Sequence, residues 1–258
     1  MSRNPFLQKL ERAGRLTDEE QTALQALTLG AHALPPRHDL AAGEAADRVH
    51  LVMSGYACRY KTLETGSRRI VSFVLPGDLC TLHDAGPFGR DLQASTLTRC
   101  TVVEIPRHKL VALIASYPGI GRALWWVTLR ELSRAREWIV NGVRSADKRL
   151  AHLFCELLTC LQVIDLADGN GFAFPVSQAD LADAVGISPV HLNRVLQALR
   201  GEGLLSWSNQ RLIIPDVDHL KAFAEFDPAY LCFDGFEHRA AIDRVQPAPE
   251  RRVRLAAG

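Results

Sequence analysis

Residues 176–199 constrain the fold more than any other segment, because they have the pattern of two short helices joined by a sharp turn. Ser177 is placed to cap the first helix, and Asp180, three positions later, is placed to complete a capping box. Gly186 supplies the backbone freedom that a tight turn needs, and Ser188 can cap the second helix. This order of caps and turn predicts a helix-turn-helix.

The second of these helices has one apolar face and one polar face. The outward residues that we predict to bind DNA are Ser188, Pro189, Val190, His191, Asn193, Arg194 and Gln197. In a major groove Arg194 can donate two hydrogen bonds to guanine, and Asn193 can pair with adenine. Ser188, His191 and Gln197 lie at the flanks of the helix, where phosphate contacts are expected. The face therefore predicts recognition of double-stranded DNA.

A β-hairpin is predicted directly after the second helix. Residues 201–205 contain two glycines and end the helix, and residues 206–214 have the pattern of two short strands joined at Asn209 and Gln210. Such a hairpin is the wing of a winged helix-turn-helix. The alternative is an ordinary pair of helices in a helical protein, and the agreement of several independent signals disfavours it.

The region from about residue 31 to residue 106 has a different texture, with short apolar runs separated by turn residues. The runs are Val49–Val52, Ile70–Leu75 and Val102–Ile105. Short strands at fairly even spacing predict an antiparallel sandwich or roll. Short helices are predicted before it, with a capping box at Thr17 and Glu20 at the start of one of them.

A long amphipathic helix is predicted after Pro118, and it carries two adjoining apolar stripes. One stripe contains Ile120, Leu124 and Val127, and the other contains Trp125, Leu129, Leu132 and Ile139. One neighbouring domain would cover a single stripe. Both stripes could still pack against the roll, but we favour burial of the second stripe against the same helix of another subunit. The chain is therefore predicted to form a homodimer.

These patterns predict four segments. Residues 1–115 would form the short N-terminal helices and the sensor roll, and residues 116–143 the central dimerisation helix. Residues 144–226 would form the winged helix-turn-helix, and residues 227–258, which are rich in arginine and proline, a loose tail.

Composition excludes several classes of protein. No apolar run is long enough to span a bilayer, and the N-terminus lacks a secretory signal, so we expect a cytoplasmic protein without a membrane partner. The six cysteines and nine histidines are scattered without metal-ligand spacing, so no metal and no cofactor is predicted. No nucleophile–base constellation or phosphate loop is present, and we predict no catalytic residues and no enzyme activity. A net charge of +1 gives no support for DNA binding, which therefore rests on the motif alone.

From about Asn4 to Leu231 the sequence resembles the Crp/Fnr family of transcription regulators. The resemblance rests on residues 52–55 (VMSG), 75–79 (LPGDL), 149–151 (RLA) and the helix-turn-helix. It implies an α+β fold with an N-terminal antiparallel β-roll, a jelly roll of the cyclic-nucleotide-binding type, followed by a long dimerisation helix and a C-terminal winged helix-turn-helix. Arg194 matches the family's base-reading arginine. Val190 stands where members that read TGTGA or TTGAT half-sites carry glutamate, which implies a different half-site.

The same resemblance bears on the effector. Cyclic-AMP binders of the family have a Gly-Glu-Leu step followed by Arg-Ser, whereas Gly77-Asp78-Leu79 here is followed by Cys80 without the glutamate. Arg90 lies near the arginine position but precedes Asp91, whose negative charge opposes a phosphate. Cyclic-AMP binding is therefore not expected, and the first cysteine, Cys58, comes too late for the N-terminal cysteine group that holds an iron–sulfur cluster in the family's oxygen sensors. His83 and Arg90 are the candidate effector-binding residues.

The resulting hypothesis is a homodimeric, sequence-specific transcription regulator that binds a palindromic DNA site and contacts RNA polymerase. Its roll would respond to an effector whose identity the sequence does not reveal. The alternative is an effector- or redox-sensing module whose winged helix contacts a protein instead of DNA. The polar and basic residues of the second helix favour the first hypothesis.

Overall fold

The computed structural model describes residues 4–40, 48–80 and 92–233. Its helices are α1 (Pro5–Glu11), α2 (Asp18–Leu27), α3 (Arg107–Ser116), α4 (Pro118–Asn141), α5 (Ala146–Gln162), α6 (Gln178–Val185), α7 (Pro189–Gly201) and α8 (Val217–Ala224). Its strands are β1 (His32–Leu34), β2 (Arg48–Ser54), β3 (Ala57–Thr62), β4 (Arg68–Val74), β5 (Gln93–Thr96), β6 (Cys100–Pro106), β7 (Ala167–Asp168), β8 (Gly171–Ala173), β9 (Ser206–Ser208) and β10 (Arg211–Ile213). The predicted α+β class is confirmed.

The N-terminal helices begin at side-chain caps. The Asn4 side chain accepts hydrogen bonds from the backbone at the start of α1, and Thr17 and Glu20 form the predicted capping box at the start of α2. Lys9 on α1 is buried and lies 2.5 Å from a carboxylate oxygen of Asp78. This ion pair attaches α1 to the turn that follows β4.

Two three-stranded antiparallel sheets make up the roll, with strand orders β1-β6-β2 and β4-β3-β5. The three predicted apolar runs lie within or next to β2, β4 and β6, which confirms the predicted roll. Gly55 turns the chain from β2 into β3 with φ 84°, and a side chain there would overlap the backbone oxygen of Arg99. Glycine is therefore required both by the backbone angle and by the lack of space.

Helix α4 separates its two apolar stripes as predicted, except that Leu129 of the second stripe is partly buried against the same core as the first. Ile120, Leu124 and Val127 are buried in the core formed with α1 and the roll. On the adjoining face, Trp125 is 60% exposed and Ile139 is 76% exposed. The helix therefore has an apolar face that the described part of a single chain leaves uncovered.

The C-terminal part contains the predicted winged helix-turn-helix and additional elements. The predicted hairpin is present as β9 and β10, and β7 and β8 extend it to a four-stranded sheet of order β7-β8-β10-β9. Helix α8 packs against α5. The predicted loose tail starts at residue 227, but residues 228–231 form a 3₁₀ helix with Leu231 buried, and residues 234–258 lie outside the described residues.

The roll and the winged helix share one hydrophobic core. Phe174, next to β8, has its ring centroid 5.5 Å from that of Tyr56 and 6.2 Å from that of Phe73, both in the roll. The Tyr56 hydroxyl also donates a 2.6 Å hydrogen bond to the backbone oxygen of Ala173. This core contains residues from both sides of the predicted segment boundaries, so it does not mark where one segment ends and the next begins. The boundaries at residues 115, 143 and 226 therefore stay predictions.

Among the described helices, none is by itself long and apolar enough to cross a membrane; α3 and α4, bent by 119° at their junction, meet that test of length and composition only as a pair.

Candidate nucleic-acid interface

The first helix of the predicted motif, α6, is capped at its start and ends at a left-handed residue. Ser177 Oγ accepts a 3.1 Å hydrogen bond from the Asp180 backbone N–H, as predicted. The Asp180 carboxylate does not complete the capping box in the predicted way, because it accepts from the Ser177 hydroxyl and from Arg68. Gly186 has φ 76° and donates its N–H to the Ala182 oxygen at 2.7 Å, which ends the helix.

Helix α7 begins two residues later with its own cap. Ser188 Oγ accepts a 3.2 Å hydrogen bond from the His191 backbone N–H, and Pro189 occupies the first helical position. The buried stripe of the helix consists of Leu192, Val195, Leu196 and Leu199. Burial of this stripe turns the opposite side of α7 toward solvent.

All seven residues predicted to contact DNA are exposed: Ser188, Pro189, Val190, His191, Asn193, Arg194 and Gln197. Helix α7 contains no carboxylate, whereas it carries His191, Arg194 and Arg200. The exposed N-terminal end of a helix also has a partial positive charge. The outer face of α7 is therefore electrostatically suited to a polyanion.

Arg200 is an exposed cation that our sequence-based prediction missed. It lies three residues after Gln197 and so on the same side of the helix, which is the signal that could have identified it. Its Nη2 atom donates a 2.8 Å hydrogen bond to the backbone oxygen of Trp207 on β9. Asn209 and Gln210, at the tip of the hairpin, both have positive φ, as a tight two-residue turn requires. Arg200 thus connects the end of α7 to the wing.

The predicted effector residues His83 and Arg90 lie outside the described residues. Among the described residues, a cavity of about 480 Å³ lies between the β3–β4 sheet and α4. It is lined by Arg59, Val71, Ser72, Leu92, Thr128, Glu131, Leu132, Arg134, Ala135 and Trp138. Arg59 Nη2 lies 3.2 Å from Glu131 Oε1 and donates to the Leu79 oxygen at 2.8 Å, so its charge is already compensated within the protein.

A buried carboxylate lies beside this cavity. Glu156 on α5 is fully buried and accepts hydrogen bonds from Arg134 at 2.8 Å and Trp138 at 3.2 Å, both on α4. Burial alone would raise the pKa of Glu156, but the Arg134 guanidinium and the hydrogen-bond donors hold it below its ordinary value. The network joins the central helix to the winged helix.

Five of the six cysteines are buried. Burial raises the pKa of the Cys58 thiol to about 11 and that of Cys155 to about 12, and only Cys232 is more than slightly exposed. Within the described residues, no three histidine, cysteine or acidic side chains come together as metal ligands would. A thiolate-based sensor is disfavoured at Cys58 and Cys155, because the thiolate is the reactive form.

Two protein families match separate parts of the chain. Residues 148–223 match the Crp-like helix-turn-helix domain, and residues 40–117 match the cyclic nucleotide-binding domain. The first match contains α6, α7 and the wing, and the second contains most of the roll. The two matches follow each other in the order that the fold shows.

Named relatives and solved structures are similar over most of the chain. Transcriptional activator protein FnrL of Cereibacter sphaeroides is 28% identical over 177 residues, which are 67% of this chain and 70% of that protein. A protein of Rhizobium leguminosarum bv. viciae named "Probable transcriptional activator" is 30% identical over 174 residues, which are 66% of this chain and 70% of that protein.

FixK2 from Bradyrhizobium japonicum superimposes with a TM-score of 0.65 at 27% identity, and the match covers 76% of this chain and 98% of that one. The CRP-family regulator TTHB099 from Thermus thermophilus has a TM-score of 0.59 at 19% identity, covering 75% of this chain and 96% of that one. The second likeness is one of fold.

Proposed function

Because the chain belongs to the Crp/Fnr family of transcription regulators, we propose that it binds a palindromic DNA site as a homodimer and that an effector in the roll controls this binding. It is a transcription regulator with a helix-turn-helix DNA-binding domain and, like its named relatives, not an enzyme. The outer face of α7, exposed and free of carboxylates, is the observation that carries the proposal of specific DNA binding.

Sequence reading is assigned to the early residues of α7. Arg194 is exposed on the face opposite the buried stripe, so its guanidinium is free to reach the two acceptors of a guanine edge. Asn193 is its neighbour on that face and is suited to an adenine edge. Ser188, His191 and Gln197 are assigned to phosphates, which fix the register of the helix on the duplex.

A homodimer is supported by the uncovered apolar stripe of α4. Trp125, Leu132 and Ile139 recur at the spacing of one helix face and are between 49% and 76% exposed in the single chain. A second copy of the same helix would cover this stripe by isologous packing. Two recognition helices related by a twofold axis would then enter major grooves about 34 Å apart.

Effector control is supported by the cavity between the roll and α4. A ligand there would contact both the roll and the helix that we assign to the dimer interface, and it would favour one arrangement of the two. Because Arg59 is paired with Glu131 and Arg134 with Glu156, neither cation is available to a phosphate without losing its present partner. We therefore propose an effector other than cyclic AMP.

RNA polymerase is proposed as a further partner, because the relatives are named as transcriptional activators. The alternative function is a sensor whose winged helix contacts a protein. That function would require an apolar contact surface, whereas Val190 is the single large apolar side chain exposed on described helix α7. The composition of this surface favours DNA.

Selection from a random duplex library with the purified chain tests the proposed function. We expect enrichment of a palindrome, and Arg194→Ala should relax the preference at one base pair of each half-site at a loss of roughly 1–3 kcal/mol. A uniform loss on all sequences would contradict the assignment of Arg194 to base reading. If no sequence is enriched, either by the protein alone or in the presence of screened ligands and redox agents, a protein partner becomes the better explanation.

A further inference from the structure

Two consecutive arginines at the start of β4 hold the first helix of the helix-turn-helix. Arg68 Nε lies 2.8 Å from Asp183 Oδ2, and its Nη2 donates a hydrogen bond to Asp180 Oδ1. Both carboxylates belong to α6, although β4 belongs to the roll. The ring of Tyr60 lies 5.5 Å from the Arg68 guanidinium and supports it from the roll side.

Arg69 contacts the other end of the same helix. Its Nη1 atom donates to the Asp183 backbone oxygen at 3.4 Å, in the last turn of α6, where helix dipoles favour a cation. Its guanidinium covers Gly186, and a side chain at Gly186 would overlap it. The helix is therefore held near its start by Arg68 and at its end by Arg69.

Breaking the ion pair between Arg68 and Asp180 would cost the folded protein considerable free energy. The Asp180 side chain is 3% exposed, and its charge is compensated by Arg68, with Arg37 3.9 Å away. Removing one partner of a buried pair leaves the other charge desolvated without compensation. Since α6 packs directly against α7, an orientation imposed on α6 is also imposed on the recognition helix.

We propose that Arg68 and Arg69 are positioning residues for DNA binding, which set the orientation of the helix-turn-helix relative to the roll and thereby the separation of the two recognition helices. The inference rests on the homodimer of the proposed function. Neither arginine reads DNA in this arrangement, because both face α6 from the roll. Their effect is on how well two half-sites are bound at once.

Binding to one half-site and to the complete palindrome separates positioning from base reading. In the full chain, Arg68→Gln should lower the affinity for the selected palindrome by about tenfold or more. Two winged helices (the DNA-binding heads of the dimer) that are held at the correct separation bind both half-sites together, and this gain is lost when the separation varies. The affinity for an isolated half-site and the preferred bases should not change. The variant should also distinguish less well between the selected spacer and spacers one base pair longer or shorter.

A conservative substitution controls for damage to the fold. Arg68→Lys keeps a cation facing Asp183 and Asp180, whose side chain is 3% exposed, so it should recover part of the spacer discrimination that Arg68→Gln loses. Spacer discrimination of Arg68→Gln equal to that of the unchanged protein would overturn the proposal. An equal loss on half-site and palindrome would also overturn it, because Arg68 would then serve the folding of the head.

A measurement without DNA tests the positioning role of Arg68 separately from the proposed function. Spin labels at Glu64→Cys in the β3–β4 turn and Glu202→Cys at the end of α7, in a Cys232→Ser background, report the distance from roll to head within one chain. Labelled chains are diluted with unlabelled ones. Arg68→Gln should broaden this distance distribution, and coincident distributions would overturn the positioning role even if no DNA site were found.

Discussion

The Tyr230 hydroxyl donates a 2.7 Å hydrogen bond to Oε2 of Glu156, a carboxylate with no exposed surface. Tyr230 lies on the 3₁₀ helix Pro228–Leu231, whereas Glu156 lies on α5 and is also bonded by Arg134 of α4. Three separate elements therefore meet at one buried charge. Hydrogen bonds to a desolvated charge are stronger than those between neutral groups.

Tyr230→Phe should lower the free energy of unfolding by about 1.5–3 kcal/mol, the usual contribution of a hydrogen bond to a charged group. The phenylalanine ring can still stack on His152, whose ring centroid lies 5.9 Å from that of Tyr230. Urea unfolding followed by fluorescence measures the change. Tyr117→Phe is the matched control, since its hydroxyl has no hydrogen-bond partner among the described residues, and an equal loss in both variants would contradict the role of Glu156.

The free energy of unfolding should decrease as the pH falls below about 6.5, and the protonation of His152 should account for part of this decrease. Burial lowers the pKa of His152 below 6.5, despite the raising effect of Glu156 and Glu137 and together with the lowering effect of Arg144. The unfolded chain then takes up a proton before the folded one does, so stability is lost between pH 6.5 and the folded-state pKa.

The free energy of unfolding at about pH 7.5 and pH 5.5 tests this, and His152→Gln should reduce the difference between the two. Some dependence should remain, because burial also lowers the pKa of His50. An unchanged pH dependence in His152→Gln would show that the histidine titrates alike in both states.

Ile139→Glu should shift the chain from dimer to monomer. The substitution places a charge at the C-terminal end of the apolar stripe of α4, where association would desolvate it without a partner. Sedimentation velocity over a range of concentrations measures the change. Leu29→Glu is the control, because Leu29 is 77% exposed but follows α2 and is not part of that stripe. If Ile139→Glu dimerises with unchanged affinity, the dimer interface does not include this stripe of α4.

Cys58 and Cys155 should resist alkylation in the folded protein at neutral pH. Burial raises the pKa of Cys58 to about 11 and that of Cys155 to about 12, so both are thiols and are shielded from the reagent. Cys232, which is partly exposed, should react first. Peptide mass spectrometry after a short iodoacetamide pulse identifies the modified thiols. Rapid labelling of Cys58 would contradict this prediction and favour a redox-sensing function.

The helix-turn-helix could be predicted closely because its signals are local. The Ser188 cap, the Gly186 turn and the buried stripe of α7 all depend on residues within a few positions of one another, and the structure has each of them. The two stripes of α4 were predictable for the same reason. The extra strands β7 and β8 were missed because two or three residues are too few to show a period of two.

Contacts between distant segments were not predictable from pattern. Arg68 and Asp180 are 112 positions apart, and nothing in the alternation of β4 indicates that its first residue meets α6. The role of Asp180 was misassigned for this reason, because the capping pattern is local and the ion pair is not. Glu156 was not singled out from the sequence, because its three donors come from α4 and from the 3₁₀ helix Pro228–Leu231.

Phe174 has ring contacts with Phe154, Phe172 and Trp207 of the winged helix as well as with Tyr56 and Phe73 of the roll. The reading head is therefore not an interchangeable module. In a chimera that joins this roll to the winged helix of another regulator near residue 144, Tyr56 and Phe73 would pack against residues other than Phe174 and its neighbours. Such a graft needs the matching roll residues transplanted with it.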